Sequence, residues 1–334
     1  MNKPPSDPVN YELQDGDLGD GFEEFLDTVT NVPQAPPLQG IYINEAGIAN
    51  QSAYVQIRDI EGKDVYKPIL CNLQISSSLE GHRGVHMSRF EEALFEATKE
   101  KHDSIDAFAI ALTRAVRDGQ ESKGAVIRVE GIYIHERTTR RTNRTSHDKL
   151  YLLSEAEVDG DIERVRTGVR AYNINACPCT RAHTKYSAVP ALQEAGFQTN
   201  EIRRILDIML TGTHTQRGTI SVVIDKTAPD ISSGNIYGVI DQSAHLVYEL
   251  LKRPDEHELV SRALARPQFT EDVVRETAFN LYQEFREMAP GTTCVDIESL
   301  LHDSIHIHDV RTKISTTLEK IAADIESANQ NEND

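Results

Sequence analysis

The sequence has no tryptophan, and aromatic residues make up only 6% of its 334 positions. Its apolar share, 39%, is still enough to bury a core, in one large domain or two of ordinary size. Cysteine is scarce. Four in a chain this long do not make a disulfide framework, and they fit a reducing compartment where thiols stay free for metals or chemistry. No run approaches the roughly 18 uninterrupted apolar residues of a membrane span. The start, Met1-Asn2-Lys3-Pro4-Pro5, has no apolar segment of the kind a secretory signal needs. Basic residues are outnumbered, 35 Lys and Arg against 53 Asp and Glu, for a net charge of -18. That balance argues against nonspecific nucleic-acid binding, which needs a basic surface. The expectation is a soluble cytoplasmic protein that binds neither nucleic acid nor membrane. An anionic substrate would need a local cluster of Arg and Lys to overcome the global field.

Two short stretches concentrate what chemistry there is. Asn175-Ala176-Cys177-Pro178-Cys179-Thr180 holds two of the four cysteines, and His214-Thr215-Gln216-Arg217-Gly218 sets an imidazole, an amide, a guanidinium and a glycine in one run. Cys177 and His214 could both ligate a soft or borderline metal. Pro178 restricts the backbone between the two sulfurs, so the pair does not reach one ion comfortably. Cys-x-Cys is also not the Cys-x-x-Cys of a zinc knuckle. The competing reading is two buried, inert thiols.

Along the chain, residues 1–38 are rich in Pro, Asp and Glu and predict a disordered segment, with Phe22–Val29 its one apolar patch and Pro33–Pro37 a linker. Strands are expected at Ser52–Arg58 and at Val65–Ser77, the second with Val65, Ile69, Leu73 and Ile75 on one face. A helix over Phe90–Lys101 would be capped by Ser88, and a second over Ser104–Arg117 would stop at Asp118-Gly119. Strands over Gly124–Glu136 and Lys149–Val158 flank a basic turn, Thr138–His147. The order then repeats without sequence identity between the halves. Ile162–Ile174 is a strand, Thr184–Leu210 is helical and reads as inserted, and Thr219–Asp225 is a strand. Helices follow at Asn235–Lys252, Glu256–Arg266 and Thr270–Met288, then strands at Thr293–Glu298 and Asp303–His308, and a last helix at Lys313–Ser327. Two such modules, 39–160 and 161–327, predict an α+β fold of antiparallel sheets with helices on one face. A disordered tail, 328–334, closes the chain. Open sheets leave edges to be covered, so self-association is expected.

Further candidates lie at helix starts and turns. Glu256 and Glu271 each sit where a helix would begin, and each reads as a dipole partner or as a ligand-binding carboxylate. Thr270 is a candidate cap. His306 and His308 would share a face if their segment is a strand, and they present imidazoles to a metal or to solvent. His82 and His86 flank a glycine turn beside Arg83 and Arg89, which could cradle phosphate or form a simple loop.

Six stretches in order resemble the type IB GTP cyclohydrolases, above all their archaeal, methanopterin-pathway branch. They are Gly84-Val85-His86-Met87-Ser88-Arg89-Phe90, Cys177-Pro178-Cys179, His214-Thr215-Gln216-Arg217-Gly218, Lys252-Arg253-Pro254-Asp255-Glu256, Phe269-Thr270-Glu271-Asp272 and Asp303-Ser304-Ile305-His306-Ile307-His308. The resemblance spans most of the chain from about Leu38. It implies tandem tunnelling-fold modules that assemble into barrels, as a dimer or tetramer with sites at subunit interfaces. It implies one divalent metal per site, Fe(II) favoured, with Zn(II) or Mn(II) as alternatives, held by Cys177, His214, Glu256 and His306. Cys177, His306 and His308 would be catalytic. Glu271, Gln216, Arg217, Arg89 and His86 would bind GTP, Glu271 on the guanine edge, with Arg83 or Lys252 as further phosphate candidates. The reaction implied opens the guanine imidazole ring at C8, releases formate and yields a dihydroneopterin phosphate.

The chain departs from the family in three places. The long segment Thr180–Thr213 resembles the archaeal branch, whose product is the 2′,3′-cyclic phosphate, whereas the bacterial branch makes the triphosphate. Thr180-Arg181 after the cysteines, and Ile43–Ile48 at the first strand, also differ from the common pattern. Two alternatives stand beside this reading. One is another pterin- or deazapurine-pathway enzyme of the same fold with Cys177 as nucleophile. The other is a metal-binding regulatory protein without turnover.

Overall fold

The computed structural model describes residues 22, 23, 26, 31–79, 81–250 and 252–331. The chain divides into two compact units, Met1–Glu130 with Ser154–Val165, and Gly131–Leu153 with Arg166–Asp334.

In the first unit β1 (Ile43–Arg58) and β2 (Tyr66–Leu79) form a long antiparallel pair, Ile43 opposite Leu79 and Arg58 opposite Tyr66. Alternation drives β2: Ile69, Cys71, Leu73 and Ile75 point into the core. Val65, expected on that face, precedes the strand and is exposed. β1 begins at Ile43 rather than Ser52. Its register slips between Ile48 and Gln51, where Asn50 takes a left-handed φ of 59°. A bulge of this kind breaks the period-two pattern that marks a strand in sequence. The short β3 (Lys101–His102) runs parallel to β1.

Two helices of the first unit, α1 (Met87–Lys99) and α2 (Ile105–Gln120), pack on each other and on these strands. Ser104 caps α2, its hydroxyl accepting from Ala107 N at 3.0 Å. The helix runs through Gly119 and closes on Glu121 at φ 55°. Ser88 is not the cap of α1. It lies inside the helix, and the cap position is His86, whose backbone is clamped by Gln120: Gln120 Nε2 donates to His86 O at 2.8 Å and Oε1 accepts from His86 N at 3.1 Å. Residues 31–38 are not a free linker, since Pro33 O accepts from Gly84 N at 3.1 Å and Ala35 O from Arg83 N at 2.8 Å. Of the Phe22–Val29 patch, Phe22, Glu23 and Leu26 are helical, and the rest of residues 1–30 lies outside the described residues.

β4 (Gly124–Thr138), β5 (Thr145–Asp159) and β6 (Ile162–Ala176) are long strands. In the second unit the expected insertion forms three helices, α3 (Pro178–Ser187), α4 (Val189–Glu194) and α5 (Thr199–Ile208). There β6, β7 (Thr215–Asp225), β8 (Cys294–Leu301) and β9 (Val310–Thr317) pair antiparallel in that order. Ile220, Val222, Ile224, Val295 and Ile297 form the buried face. The helices α6 (Ser233–Ser243), α7 (Arg253–Ala265), α8 (Thr270–Phe285) and α9 (Leu318–Asn331) follow. α8 packs on α6 and across β8 and β9, and α9 packs on α8 and β9. The arrangement is α+β, dominated by antiparallel pairing, with helices on one face. No described helix is long and apolar enough to cross a membrane.

Three expected elements differ. The helix expected over Asn235–Lys252 ends at Ser243. Beyond it the backbone bonds to strand β6 instead, Ile174 N donating to His245 O and Val247 N to Tyr172 O, each at 2.9 Å. The last helix begins at Leu318, because Val310–Thr317 pairs with β8 as a strand, and it runs past Ser327 through Asn331. Residues 328–331 are therefore helical, and 332–334 lie outside the described residues. Asp303–His308 is a loop rather than a strand.

Candidate active site

The two cysteine- and histidine-bearing stretches meet at one end of a strand pair. β6 and β7 run in register from Arg166 opposite Asp225 to Ala176 opposite Thr215. One residue further, Cys177 N donates to His214 O at 3.2 Å, and Thr213 Oγ1 donates to Cys177 O at 3.0 Å. The excursion through α3–α5 thus leaves and returns at one point, and Cys177 and His214 stand side by side at its base. Pro178 opens α3 at its first position, where the missing N–H is no loss. Cys177 is the cap residue, yet its side chain makes no capping bond, so the thiol is not consumed by the helix. Cys177 and His214 are half-buried and Cys179 is exposed.

The histidine loop is tied to the same strand. Gly218 pairs with Leu301, and one step on His302 N donates to Arg217 O at 3.0 Å. Gly218 allows this approach: a Cβ there would stand 2.2 Å from Leu300 O. Asp303 shapes the turn, its Oδ1 accepting from Ile305 N at 2.8 Å and His306 N at 3.0 Å. These N–H groups, Ile305 first, hold the Asp303 carboxyl below its ordinary range. Such local side-chain-to-backbone bonds compete with strand formation, which is why the segment is a loop. The His306 and His308 rings stack, centroids 5.2 Å apart, and both are exposed. Ser304 Oγ lies 3.4 Å from His214 Nδ1, which brings the loop to the Cys177–His214 junction.

The two carboxylates open helices, as expected, but the capping work falls to their neighbours. Glu256 lies exposed in the first turn of α7. Beside it Asp255 is wholly buried and accepts from Arg141 N at 3.1 Å and Thr142 N at 3.0 Å, fixing the basic turn Thr138–His147. At α8 the cap position is Phe269, not Thr270, and Asp272 accepts from Phe269 N at 3.0 Å. Glu271 is exposed, enters no ion pair among the described residues, and is steadied by Thr270 Oγ1 at 2.9 Å. Thr270 Oγ1 in turn lies 2.8 Å from Thr312 Oγ1.

Gln216 is half-buried, with its Oε1 inaccessible and unpartnered, while Arg217 is exposed. Arg89 and His86 belong to the first unit. Arg89 Nη1 donates to Gly119 O at 2.9 Å and lies 3.6 Å from Glu121. Burial, reinforced by Arg89, holds the His86 imidazole below its ordinary pKa. Arg83 and Lys252 lie at turns outside the strands and helices.

The structure joins Cys177 to His214 and brings the His302–His308 loop against them. Among the described residues, no three His, Cys, Asp or Glu side chains converge into a group able to hold a metal. Glu256 and His306 therefore do not complete a set of that kind with Cys177 and His214 in the chain as folded. Sequence reasoning missed the buried amides Asn173, Asn175 and Gln268 that support this region. The signal was present, since the alternation of β6 places both asparagines at core positions, where polar residues are uncommon.

Comparison with known proteins gives the chain a family. The family model for type I GTP cyclohydrolase folE2 matches residues 29–312. The GTP cyclohydrolase MptA of Methanococcus aeolicus is 29% identical over 305 residues, covering 86% of this chain and 96% of that protein. GTP cyclohydrolase MptA 2 of Methanocella arvoryzae is 27% identical over 295 residues, covering 85% of this chain and 95% of its own length. Among solved structures, uricase from Arthrobacter globiformis superposes with a TM-score of 0.50 at 7% identity, over 84% of this chain and 96% of that one, a likeness of fold alone. With the family match spanning most of its length, the chain belongs to the type I GTP cyclohydrolase folE2 family.

Proposed function

We propose that this chain is a metal-dependent GTP cyclohydrolase that opens the guanine imidazole ring of GTP at C8. It releases formate and forms a 7,8-dihydroneopterin phosphate, the 2′,3′-cyclic phosphate in preference to the triphosphate, for pterin cofactor synthesis. The observation that carries this reading is the Cys177–His214 junction, lying inside the stretch matched to the family. The long helical insertion between those two residues favours the cyclic product.

The donor chemistry fits a borderline divalent cation, with a thiol free of capping duty beside an imidazole. Cys177 and His214 would hold it, with Glu256 and His306 as the remaining ligands and Fe(II) favoured over Zn(II) or Mn(II). When bound, the cation supplies Lewis acidity that brings the pKa of water toward neutrality. With His306 on the cation, His308 would move protons between solvent and the opening ring, a task suited to imidazole near neutral pH. Glu271 would accept two parallel N–H bonds from N1 and the exocyclic amine of guanine. Gln216 lies on the same strand as Arg217, which would neutralise the phosphates; Arg89, in the first unit, is a separate phosphate candidate.

The remaining ligands would reach the Cys177–His214 junction across a subunit interface. In this reading tunnelling-fold modules pair through their sheets into barrels, as a dimer or tetramer. A Cys177→Ser variant tests the ligand assignment. It is expected to lose bound metal, measured by elemental mass spectrometry, together with formate release. Retention of both would overturn the assignment.

A further inference from the structure

A buried polar network lies beneath the start of α8 in the second unit, and none of the chemistry above uses it. Asn173 and Asn175 occupy inward positions of β6 and are wholly buried. Asn173 Nδ2 donates to Asn175 Oδ1 at 2.6 Å, and Asn175 Nδ2 donates to the Gln268 carbonyl at 3.0 Å. Gln268, also buried, sends its Nε2 to Ser243 O at 3.0 Å and Glu276 Oε2 at 2.9 Å. Asn280 Nδ2 closes the network on Ser243 Oγ at 2.9 Å.

Apolar side chains would fill these strand positions without the desolvation penalty that buried amides carry. Capping does not account for the amides either, since Asp272 serves the Phe269 N–H. What the network does is geometric. Asn175 lies two residues before Cys177 in the chain, and its amide grips the backbone carbonyl three residues before Glu271. Gln216 stands directly opposite Asn175 across the strand pair, so the two side chains leave the same face. Gln216 Oε1 is buried there without a partner.

We propose that Asn175 is a positioning residue for guanine recognition. Through the Gln268 carbonyl it fixes where the Glu271 carboxylate stands relative to Cys177 and Gln216. The proposal rests on Glu271 being the guanine anchor. A carboxylate that reads two N–H groups at once depends on its placement, because the second bond is lost first when the backbone drifts.

The test compares GTP with inosine triphosphate, which lacks the exocyclic amine, using the metal-loaded full chain. The wild type is expected to favour GTP by roughly 10- to 100-fold in kcat/KM, the worth of one bond to a charged acceptor. In Asn175→Ala that preference is expected to fall to about threefold or less, mainly through KM for GTP, with bound metal unchanged. If Asn175→Ala does not fold, Asn175→Val, suited to a strand and without the donor, carries the same measurement. A folded variant in which both substrates lose equally, and the preference stands, has lost only structural support and overturns the proposal. Wild-type protein that leaves GTP untouched would instead remove the functional reading beneath it.

Discussion

Replacing Gly218 by alanine separates the backbone's role in this site from that of its side chains. A Cβ at this position would stand 2.2 Å from Leu300 O, 2.5 Å from Leu301 Cδ2 and 3.0 Å from Leu301 Cα. The leucine methyl can rotate away, but the carbonyl belongs to β8 and cannot. Relief to an ordinary contact requires β7 and β8 to part by about 1 Å. Overpacking in a core costs about 1–3 kcal/mol, and a clash with backbone belongs at the upper end. For a chain of this size about 2–3 kcal/mol lowers Tm by roughly 3–4 °C. The functional loss should exceed the stability loss. The next pairing along these strands is His302 N to Arg217 O, which launches the histidine loop, and a misplacement of about 1 Å can cost about 100-fold in rate. Gly238→Ala is the control. It lies within α6, nothing stands within 4 Å of the added Cβ, and alanine should stabilise the helix by roughly 0.5–1 kcal/mol. Thermal melts followed by circular dichroism and kcat/KM from formate release give both quantities. A Gly218→Ala protein that melts with the wild type and keeps its kcat/KM would refute the argument.

Two further perturbations address the second unit. Arg137 donates to Asp148 Oδ2 at 3.1 Å and to Asp241 at 3.0 and 3.2 Å, and Tyr237 Oη donates to Asp148 at 2.6 Å. Asp148 is 1% exposed, and burial holds its carboxyl above the ordinary range despite Tyr237 and Arg137. Arg137→Met strands that carboxylate and should cost about 3–5 kcal/mol in urea unfolding, with Arg137→Met/Asp148→Asn recovering more than half; equal losses in both proteins would contradict this. Arg166 bridges three strands, donating to Asp225 Oδ1 at 2.8 Å and Asp296 Oδ2 at 2.7 Å. Burial raises the Asp296 pKa, but Ser315 and Arg166 outweigh it, so the carboxyl sits below its ordinary value. A carboxyl depressed in the folded state stabilises above its unfolded pKa, about 3.9, and that contribution fades as pH falls through the folded value. The stability gap between wild type and Arg166→Gln should therefore be full at pH 7 and shrink below about pH 4. A gap independent of pH would count against the pairing.

Much of the fold was legible because strands and helices in this chain follow their periods. β7 and β8 alternate cleanly, as β2 does from Ile69 to Ile75. The failures share a cause, competition for backbone bonds that no local pattern records. β1 hides its first half behind a bulge at Asn50. The stretch after Ser243 gives its backbone to Tyr172 and Ile174 rather than to a helix, and Asp303 turns the histidine segment into a loop. The candidate site was legible in one respect, that the two stretches where chemistry is concentrated meet: the register of β6 with β7 makes Cys177 and His214 neighbours. It was not legible at Asp255, Asn175 and Gln268. Their work is to hold other backbone in place, and only the tertiary partner reveals it.

The proposed chemistry is tested most directly by anaerobic incubation of the metal-loaded protein with GTP, counting formate and weighing the product. The account predicts one formate for each GTP consumed and a dihydroneopterin mass, with the cyclic phosphate ahead of the triphosphate. Protein that retains its metal while GTP persists and no formate accumulates would contradict it.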